Sequence, residues 1–340
     1  MATRACLNAS LAKITHQQMT AIRGWLAKED FIEIFPPHLT GIRERPFMKT
    51  FKVSSPELKF EGALRVSANY FLAETVSQIK RAYAITSSFR PGALTGTEAD
   101  RFRLLEFQLG ELWREGDFGE LLEFSERLLS NTISALLGEN SLLPLARAKE
   151  LEKIRFPLPR IPYKKAMEEV GGKPGQQFTP QQQLALVSAH GSSPVFVTHF
   201  PTDLAPTSQD LSDMRRDSTQ RVLSFDLFAP FGGEIMTGGQ LETDRDTLTT
   251  QMKESRFLRE LVAAGGTYEQ VEPYIAAVSR LDSPYVRMGF GFERLSQFLM
   301  GTEGIDKATY IPLMARRRGG VIIIIIDGII IIGLPEPEPI

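Results

Sequence analysis

Ser87-Ser88-Phe89-Arg90, a variable stretch, and then Arg101-Phe102-Arg103-Leu104-Leu105-Glu106-Phe107-Gln108-Leu109-Gly110-Glu111 hold the densest chemistry in this chain. An arginine closing one strand, further arginines in a loop, and a returning strand with Glu and Phe supply a phosphate clamp, a polar reader and an aromatic face. Guanidinium groups suit the clamp because their planar fork matches phosphate oxygens. The set suits a nucleotide. Taken singly it also describes a surface hairpin, so the rest of the chain must decide its meaning.

Two further stretches bear on it. In Gly289-Phe290-Gly291-Phe292-Glu293-Arg294-Leu295, glycines let backbone approach a ligand and an arginine starts a helix, although the same glycines could simply open that helix. In Phe225-Asp226-Leu227-Phe228-Ala229-Pro230-Phe231-Gly232-Gly233-Glu234-Ile235-Met236-Thr237-Gly238-Gly239-Gln240-Leu241-Glu242, an acidic side chain stands three residues before a hydroxyl.

The elements that must position these residues follow from periodicity. Met19, Ile22, Trp25 and Leu26 recur at helical spacing over 15–29, and a strand over 31–35 ends at Pro36-Pro37. Segments 62–72, 81–90 and 103–115 read as strands, and 118–137 as a helix. The stretch 144–193 is rich in Pro, Gly, Lys and Gln and reads as an insertion with helices at 163–169 and 180–189. Strands resume at 194–198, 221–229 and 232–239, followed by helices at 247–264 and 268–281 and a last helix after Arg294. The predicted fold is α+β, an antiparallel sheet of six or seven strands flanked by helices. One catalytic unit over 1–320 is followed by a tail over 321–340, where Asp327-Gly328 between isoleucine runs is a hairpin-turn signal.

Composition sets outer bounds. With 42% apolar and 24% charged residues the 340-residue chain reads as a globular enzyme rather than a disordered or fibrous protein. Its 39 basic and 41 acidic residues nearly cancel, so no global positive field gathers a polyanion. The single Cys6 makes no internal disulfide. His16, His38, His190 and His199 lack metal-ligand spacing. Neither a secretion signal nor a run long enough to span a bilayer is seen, which points to the cytoplasm and no membrane partner.

In order, these motifs resemble the class II aminoacyl-tRNA synthetases of the asparagine/aspartate subgroup. The first resembles that family's motif 2 (Phe-Arg-x-Glu, loop, Arg-His-x-x-Glu-Phe), the 289–295 stretch its motif 3 (Gly-Leu-Gly-x-Glu-Arg-Leu), and 225–242 its "DLLVP-GxGEIxGGSQRE" signature. Residues 31–37 resemble motif 1, Glu61-Gly62-Ala63 and 64–72 the "EGA" and "LTVSGQLYLE" segments, and 195–201 the "VFVTxYP" segment. The resemblance implies that Arg90 holds the ATP α-phosphate and the activated carboxylate, Glu106 reads the adenine amino group, and Phe107 stacks on the ring. It further implies that Gly291 lies under the nucleotide and Arg294 pairs with the γ-phosphate. Glu234 would hold Mg2+, with Thr237 as a shifted hydroxyl ligand. Glu61, Ser67, Asn69, Gln240, Leu241 and Arg287 would surround the amino acid.

Departures from the pattern matter as much. Pro91-Gly92 replaces the motif 2 Glu, and Arg101 and Arg103 compete for the triphosphate. Gly239 stands where the family has a serine. Leu241 replaces an arginine that meets the substrate side chain, and Arg287, in place of a glycine, is a candidate to return that charge or else an ordinary arginine. Motif 1 begins near residue 15, leaving no room before it for the subgroup's anticodon-binding barrel. The resemblance therefore extends to paralogues such as stand-alone asparagine synthetases. The expected activity is Mg·ATP-dependent adenylation of an Asp- or Asn-like carboxylate and transfer to an amine such as ammonia, giving an amide such as asparagine, in a homodimer. The alternatives are an Asp/Asn-tRNA ligase and a non-catalytic regulatory paralogue.

Overall fold

The computed structural model describes residues 9–40, 50–55, 57, 59–90, 101–109, 118–138, 142–202, 211–263, 265–281, 285–309, 322–326 and 329–333. Pro91, Gly92, Glu111, the Asp327-Gly328 pair and the side chain of Arg101 lie outside the described residues.

Helix α1 (Ala9–Lys28) buries Leu11, Ile14, Gln18, Ile22 and Leu26, a stripe three to four residues apart. It stops where Asp30 takes a positive φ of 59°, a conformation that Asp tolerates better than most residues. Strand β1 (Ile32–Glu33) follows, and then a small three-stranded sheet of β2 (Leu39–Thr40), β3 (Lys52–Ser55) and β4 (Phe60–Leu64). The expected strand over 62–72 is only partly realised, because residues from Asn69 onward form helix α2 (Asn69–Val76). Leu72, Ala73 and Val76 on one side of that helix are fully buried.

Strands β5 (Arg81–Phe89) and β6 (Arg101–Leu109) pair antiparallel. Helices α3 (Phe118–Leu136) and α4 (Leu145–Leu151), strand β7 (Arg160–Pro162), and helices α5 (Tyr163–Glu169) and α6 (Pro180–Ala189) come next. Strands β8 (Val195–Phe200), β9 (Val222–Ala229) and β10 (Gly233–Leu241) resume the sheet. The single helix expected over 247–264 is two, α7 (Arg245–Glu254) and α8 (Arg256–Ala263). They part at Ser255, which is extended and whose Oγ accepts from Leu258 N–H at 3.0 Å, capping the second helix. Helix α9 (Glu272–Val278), strand β11 (Tyr285–Gly291), helix α10 (Phe292–Met300) and an antiparallel isoleucine pair, β12 (Ile322–Ile326) and β13 (Ile329–Gly333), complete the order.

The main sheet runs β1-β5-β6-β11-β10-β9-β8-β7, eight strands among the described residues rather than six or seven. Its interior is antiparallel, and β1 and β7 add parallel edges. Side chains alternate between its two faces. The back face carries Leu105, Phe107, Phe225, Leu227, Met236, Met288 and Phe290, which join buried residues of α1, α3 and α10 in one apolar cluster. On the front, α2 covers the β5–β6 side through Ala68, Leu72, Ala82 and Ala84. Residues of α5 to α9 cover the β8–β9 side. Between these two covers the front of β6, β11, β10 and β9 forms the floor of the candidate site. No helix among the described residues is long and apolar enough to cross a membrane.

Candidate active site

Strand register lays the front face out in three bands. Leu104 pairs with Gly291, Glu106 with Gly289, and Gln108 with Arg287. Across β11, Gly289 pairs with Thr237 and Arg287 with Gly239, while Asp226 and Ser224 of β9 face Thr237 and Gly239. Each band lies two residues from the next, so the first and third are about 13 Å apart.

The first band is cationic and bare. Arg90 follows the end of β5, its Nη2 donating to Val66 O at 3.4 Å and its guanidinium lying 4.8 Å from the ring centre of Phe102. Arg294, in the first turn of α10, donates from Nη1 to Glu234 O at 3.0 Å. A Cβ built on Gly291 would lie 3.6 Å from the Arg294 stem, and one on Gly289 3.7 Å from Glu106 Cγ, both ordinary contacts. Neither glycine has positive φ. The protein itself therefore has room for a side chain at both positions, and the backbone there lies open. Gly238 and Gly239 differ: an added Cβ would come within 2.9 Å of the Phe225 ring and 2.6 Å of Met214 Sδ respectively. Met214 thus occupies the space that a serine at position 239 would need.

Asp226 and Thr237 pair in the middle band, and Glu234 pairs with Phe228, two residues further along β9 toward the first. A β-bulge between Glu234 and Met236 turns both Ile235 and Met236 into the back cluster, which leaves Glu234 on the same face as Thr237 and Asp226. Among the described residues Thr237 Oγ1 makes a single long donation, 3.4 Å to Phe225 O. Two carboxylates and a hydroxyl are hard donors suited to Mg2+. Among the described residues no three acidic, imidazole or thiol groups cluster, so a cation here would take its remaining ligands from phosphate and water. Asp226, 8% exposed, is the site residue that the sequence reading missed. Its signal was an acid inside an otherwise apolar strand.

On the α2 side of that band, the Glu106 carboxylate accepts from Ser67 Oγ at 2.5 Å and from Ala68 N–H at 2.6 Å. Asn69 N–H in turn donates to Ser67 Oγ at 3.2 Å. Segment 66–69 is thus pinned between Arg90 and Glu106.

Four other expectations meet a different placement. Phe107 points to the back face, fully buried against Phe31, Phe124 and Phe290, so it cannot stack on a ligand at the front. The apolar residue on the front opposite Gly291 is Leu104. Arg103 is engaged elsewhere: its backbone N–H and Nε donate to Glu293 at 2.9 and 3.0 Å, and its guanidinium lies 4.6 Å from the Phe292 ring centre. It ties β6 to the start of α10. Gln240 shares the back face with Met236 and Gly238 and is 1% exposed, out of reach of a substrate at the front. Glu61 is exposed on β4 opposite Ser54 in the small sheet, and no contact among the described residues joins it to the front groove.

In the third band Arg287 does reach the front, but its fork is taken. Nη1 and Nη2 donate to Asp213 Oδ2 and Oδ1 at 2.6 and 3.0 Å, and Tyr274 OH donates to the same Oδ2 at 2.6 Å. Burial works against the Arg287 charge, and Asp213 more than offsets it, so the guanidinium is held above its usual range. Burial and the Asp213 charge push the Tyr274 phenol well up. Tyr285 OH donates to Gln108 Oε1, and Gln108 Nε2 donates to Asn69 O at 2.9 Å. Leu241, 1% exposed, closes the band.

A family model described as tRNA synthetases class II (D, K and N) matches residues 2–315. Among solved structures, asparaginyl-tRNA synthetase from Pyrococcus horikoshii complexed with asparaginyl-adenylate is similar at 22% identity and a TM-score of 0.74, over 91% of this chain and 69% of that one. Asparaginyl-tRNA synthetase from Entamoeba histolytica in complex with asparaginyl-adenylate matches at 20% identity and 0.72, over 89% and 66%. Aspartyl tRNA synthetase from Entamoeba histolytica matches at 19% and 0.67, over 89% and 58%. These likenesses establish the fold.

Proposed function

The chain belongs to the class II tRNA synthetases (D, K and N), ATP-dependent ligases, and from that premise we propose that it adenylates a carboxylate of a small amino acid and passes the acyl group to an amine. The observation that carries this reading is the order of the three bands, with a cationic, glycine-floored end, an oxygen-ligand centre and a polar pocket following one another along the same strands.

In this reading ATP lies over Gly291 and Gly289 beneath Arg294. Asp226 and Glu234 would hold Mg2+ with Thr237 beside them, and the ion would supply charge neutralisation at the phosphates. The carboxylate oxygen attacks the α-phosphorus, and the bond to the β-phosphate breaks with its electron pair leaving on pyrophosphate. Arg90 offsets charge developing on the α-phosphoryl oxygens, so catalysis is mainly positioning and electrostatics. An amine then attacks the acyl carbon, AMP departs, and the nitrogen loses its proton. Ammonia is the simplest acceptor and yields an amide. Exposed Ile32 (52%) and Phe35 (84%) beside α1 support a homodimer formed through this edge.

The test is AMP and pyrophosphate formation from Mg·ATP over Asp, Asn and close analogues, with ammonium and total tRNA added separately and products weighed by mass. An amide formed with ammonium alone supports this reading. An absolute requirement for tRNA replaces it with the tRNA-ligase reading, and absence of AMP with every substrate rejects adenylation.

A further inference from the structure

Resting on the adenylation reading, in which Glu234 holds Mg2+, we propose that Gln183 of helix α6 is a positioning residue that sets where the Glu234 carboxylate stands. Glu234 lies where strand pairing gives out. The β10–β11 ladder begins only at Met236, and the β9–β10 register shifts between Glu234 and Met236. Two side chains engage the main chain at this point. Gln183 Oε1 accepts from Glu234 N–H at 3.2 Å, and Arg294 Nη1 donates to Glu234 O at 3.0 Å. The peptide groups on either side of the Glu234 Cα are thereby fixed, and the carboxylate moves only through the side chain's own torsions. A ligating group must be held to within about 0.5 Å of its working place, and the groups behind metal ligands strongly affect metal affinity.

Helix α6 is built to hold Gln183 still. Thr179 caps it, its Oγ1 accepting from Gln182 N–H at 3.2 Å while Gln182 Oε1 accepts from Thr179 N–H at 2.9 Å, and Pro180 opens the first turn. Leu186 and Val187, three and four residues on and so on the same side of the helix, are buried in the cluster that also holds Phe228, the β9 partner of Glu234. Gln183 Nε2 donates to Phe178 O at 3.5 Å, which turns Oε1 toward the β9–β10 turn. That turn leaves room for it. Gly233 has a positive φ of 62°, and a Cβ there would lie 2.8 Å from Gln183 Oε1. The tip of the turn is held separately, by Arg147 of α4, whose guanidinium lies 5.2 Å from the Phe231 ring centre. Gln183 is therefore the contact through which α6 acts on Glu234.

The experiment measures binding of labelled ATP to the full chain by equilibrium dialysis, once in Mg2+ and once in EDTA. The unaltered chain is expected to bind ATP more tightly in Mg2+. Gln183→Met keeps the length and helix preference of the side chain but removes its amide oxygen. It is expected to reduce the Mg2+ tightening about three- to tenfold, the range of one hydrogen bond, with the affinity in EDTA and the melting temperature little moved. Gln181→Met, at an exposed position of the same helix, is expected to leave both affinities alone. Should Gln183→Met fail to fold, Gln183→Ala carries the same expectation. An unmoved Mg2+ tightening in the folded variant, an equal loss in Mg2+ and in EDTA, the same loss in Gln181→Met, or no Mg2+ tightening in the unaltered chain overturns the proposal. Binding is read without turnover, so failure of the adenylation reading shows up separately, as Mg2+-dependent ATP binding with no AMP formed.

Discussion

Ser67 donates to Glu106 across 2.5 Å, and the neighbouring Ala68 N–H donates to the other carboxylate oxygen at 2.6 Å. One ionised side chain thereby satisfies two donors at the start of α2, where negative charge also meets the positive end of the helix. A glutamine has one acceptor oxygen and would turn an NH2 toward one of those donors. Glu106→Gln is expected to cost about 1–3 kcal/mol of local order. Steady-state kinetics should show the amino-acid KM rising about tenfold, since 1.4 kcal/mol is a factor of ten, while the ATP KM moves far less.

The glycines divide into two kinds that substitution can separate. Gly291→Ala meets only ordinary contacts and should change stability by less than about 0.5 kcal/mol, while raising the ATP KM because the new methyl stands on the open backbone under the nucleotide. Gly239→Ala would press on Met214 Sδ at 2.6 Å and Leu223 O at 2.8 Å, which should cost about 1–3 kcal/mol. Urea unfolding and ATP titration on the two variants make the comparison.

Phe107 supports the sheet from behind. Phe107→Ala removes a fully buried ring in contact with three others and is expected to lose about 3–5 kcal/mol, with the ATP KM of the folded fraction little changed. Leu104→Ala should do the reverse, weakening ATP binding with a smaller loss of stability.

Asp226 is expected to act through the cation. Asp226→Asn keeps size and polarity but removes one of two charged ligands, so the Mg2+ concentration for half-maximal pyrophosphate exchange should rise about tenfold, roughly 1.4 kcal/mol. A mere loss of folding would instead lower the rate at every Mg2+ concentration without moving that midpoint.

Asp217 orders the turn that leads into β9. Desolvation pushes its pKa up, but bonds from Thr219 Oγ1 and N–H and from Arg221 N–H and side chain outweigh it and hold the carboxyl below its usual range. A depressed folded pKa gives stability that is present above the unfolded value of about 3.9 and lost as pH falls through the folded one. Thermal melts from pH 6 to 2 should therefore show part of the acid destabilisation missing in Asp217→Asn, whose stability at pH 6 is lower by about 1 kcal/mol.

Much of this arrangement was legible in the sequence, and the failures have physical causes. Helix α3 announces itself through Leu121, Leu128, Ile133 and Leu136 at helical spacing, and the glycine and arginine positions of the last strand and helix fell where expected. Strand alternation alone forbids Glu106 and Phe107, adjacent in β6, from meeting the same ligand; a motif pattern carried over whole had given both a front-face role. Residues 69–72 have apolar spacing that serves strand or helix equally, and packing against β5 and β6 decided it. The Arg287–Asp213 pair was beyond reach because its members lie 74 positions apart and Asp213 sits in a segment without periodicity.

The bulge between Glu234 and Met236 has a consequence for how this protein can change. An extra residue in a strand reverses the facing of everything on one side of it, so a single deletion there would carry Glu234 into the aromatic interior while leaving Asp226 in place. The hairpin of β9 and β10 can exchange side chains freely, yet its length is fixed to the residue. Random libraries over 229–237 should yield active substitutions and almost no active one-residue deletions.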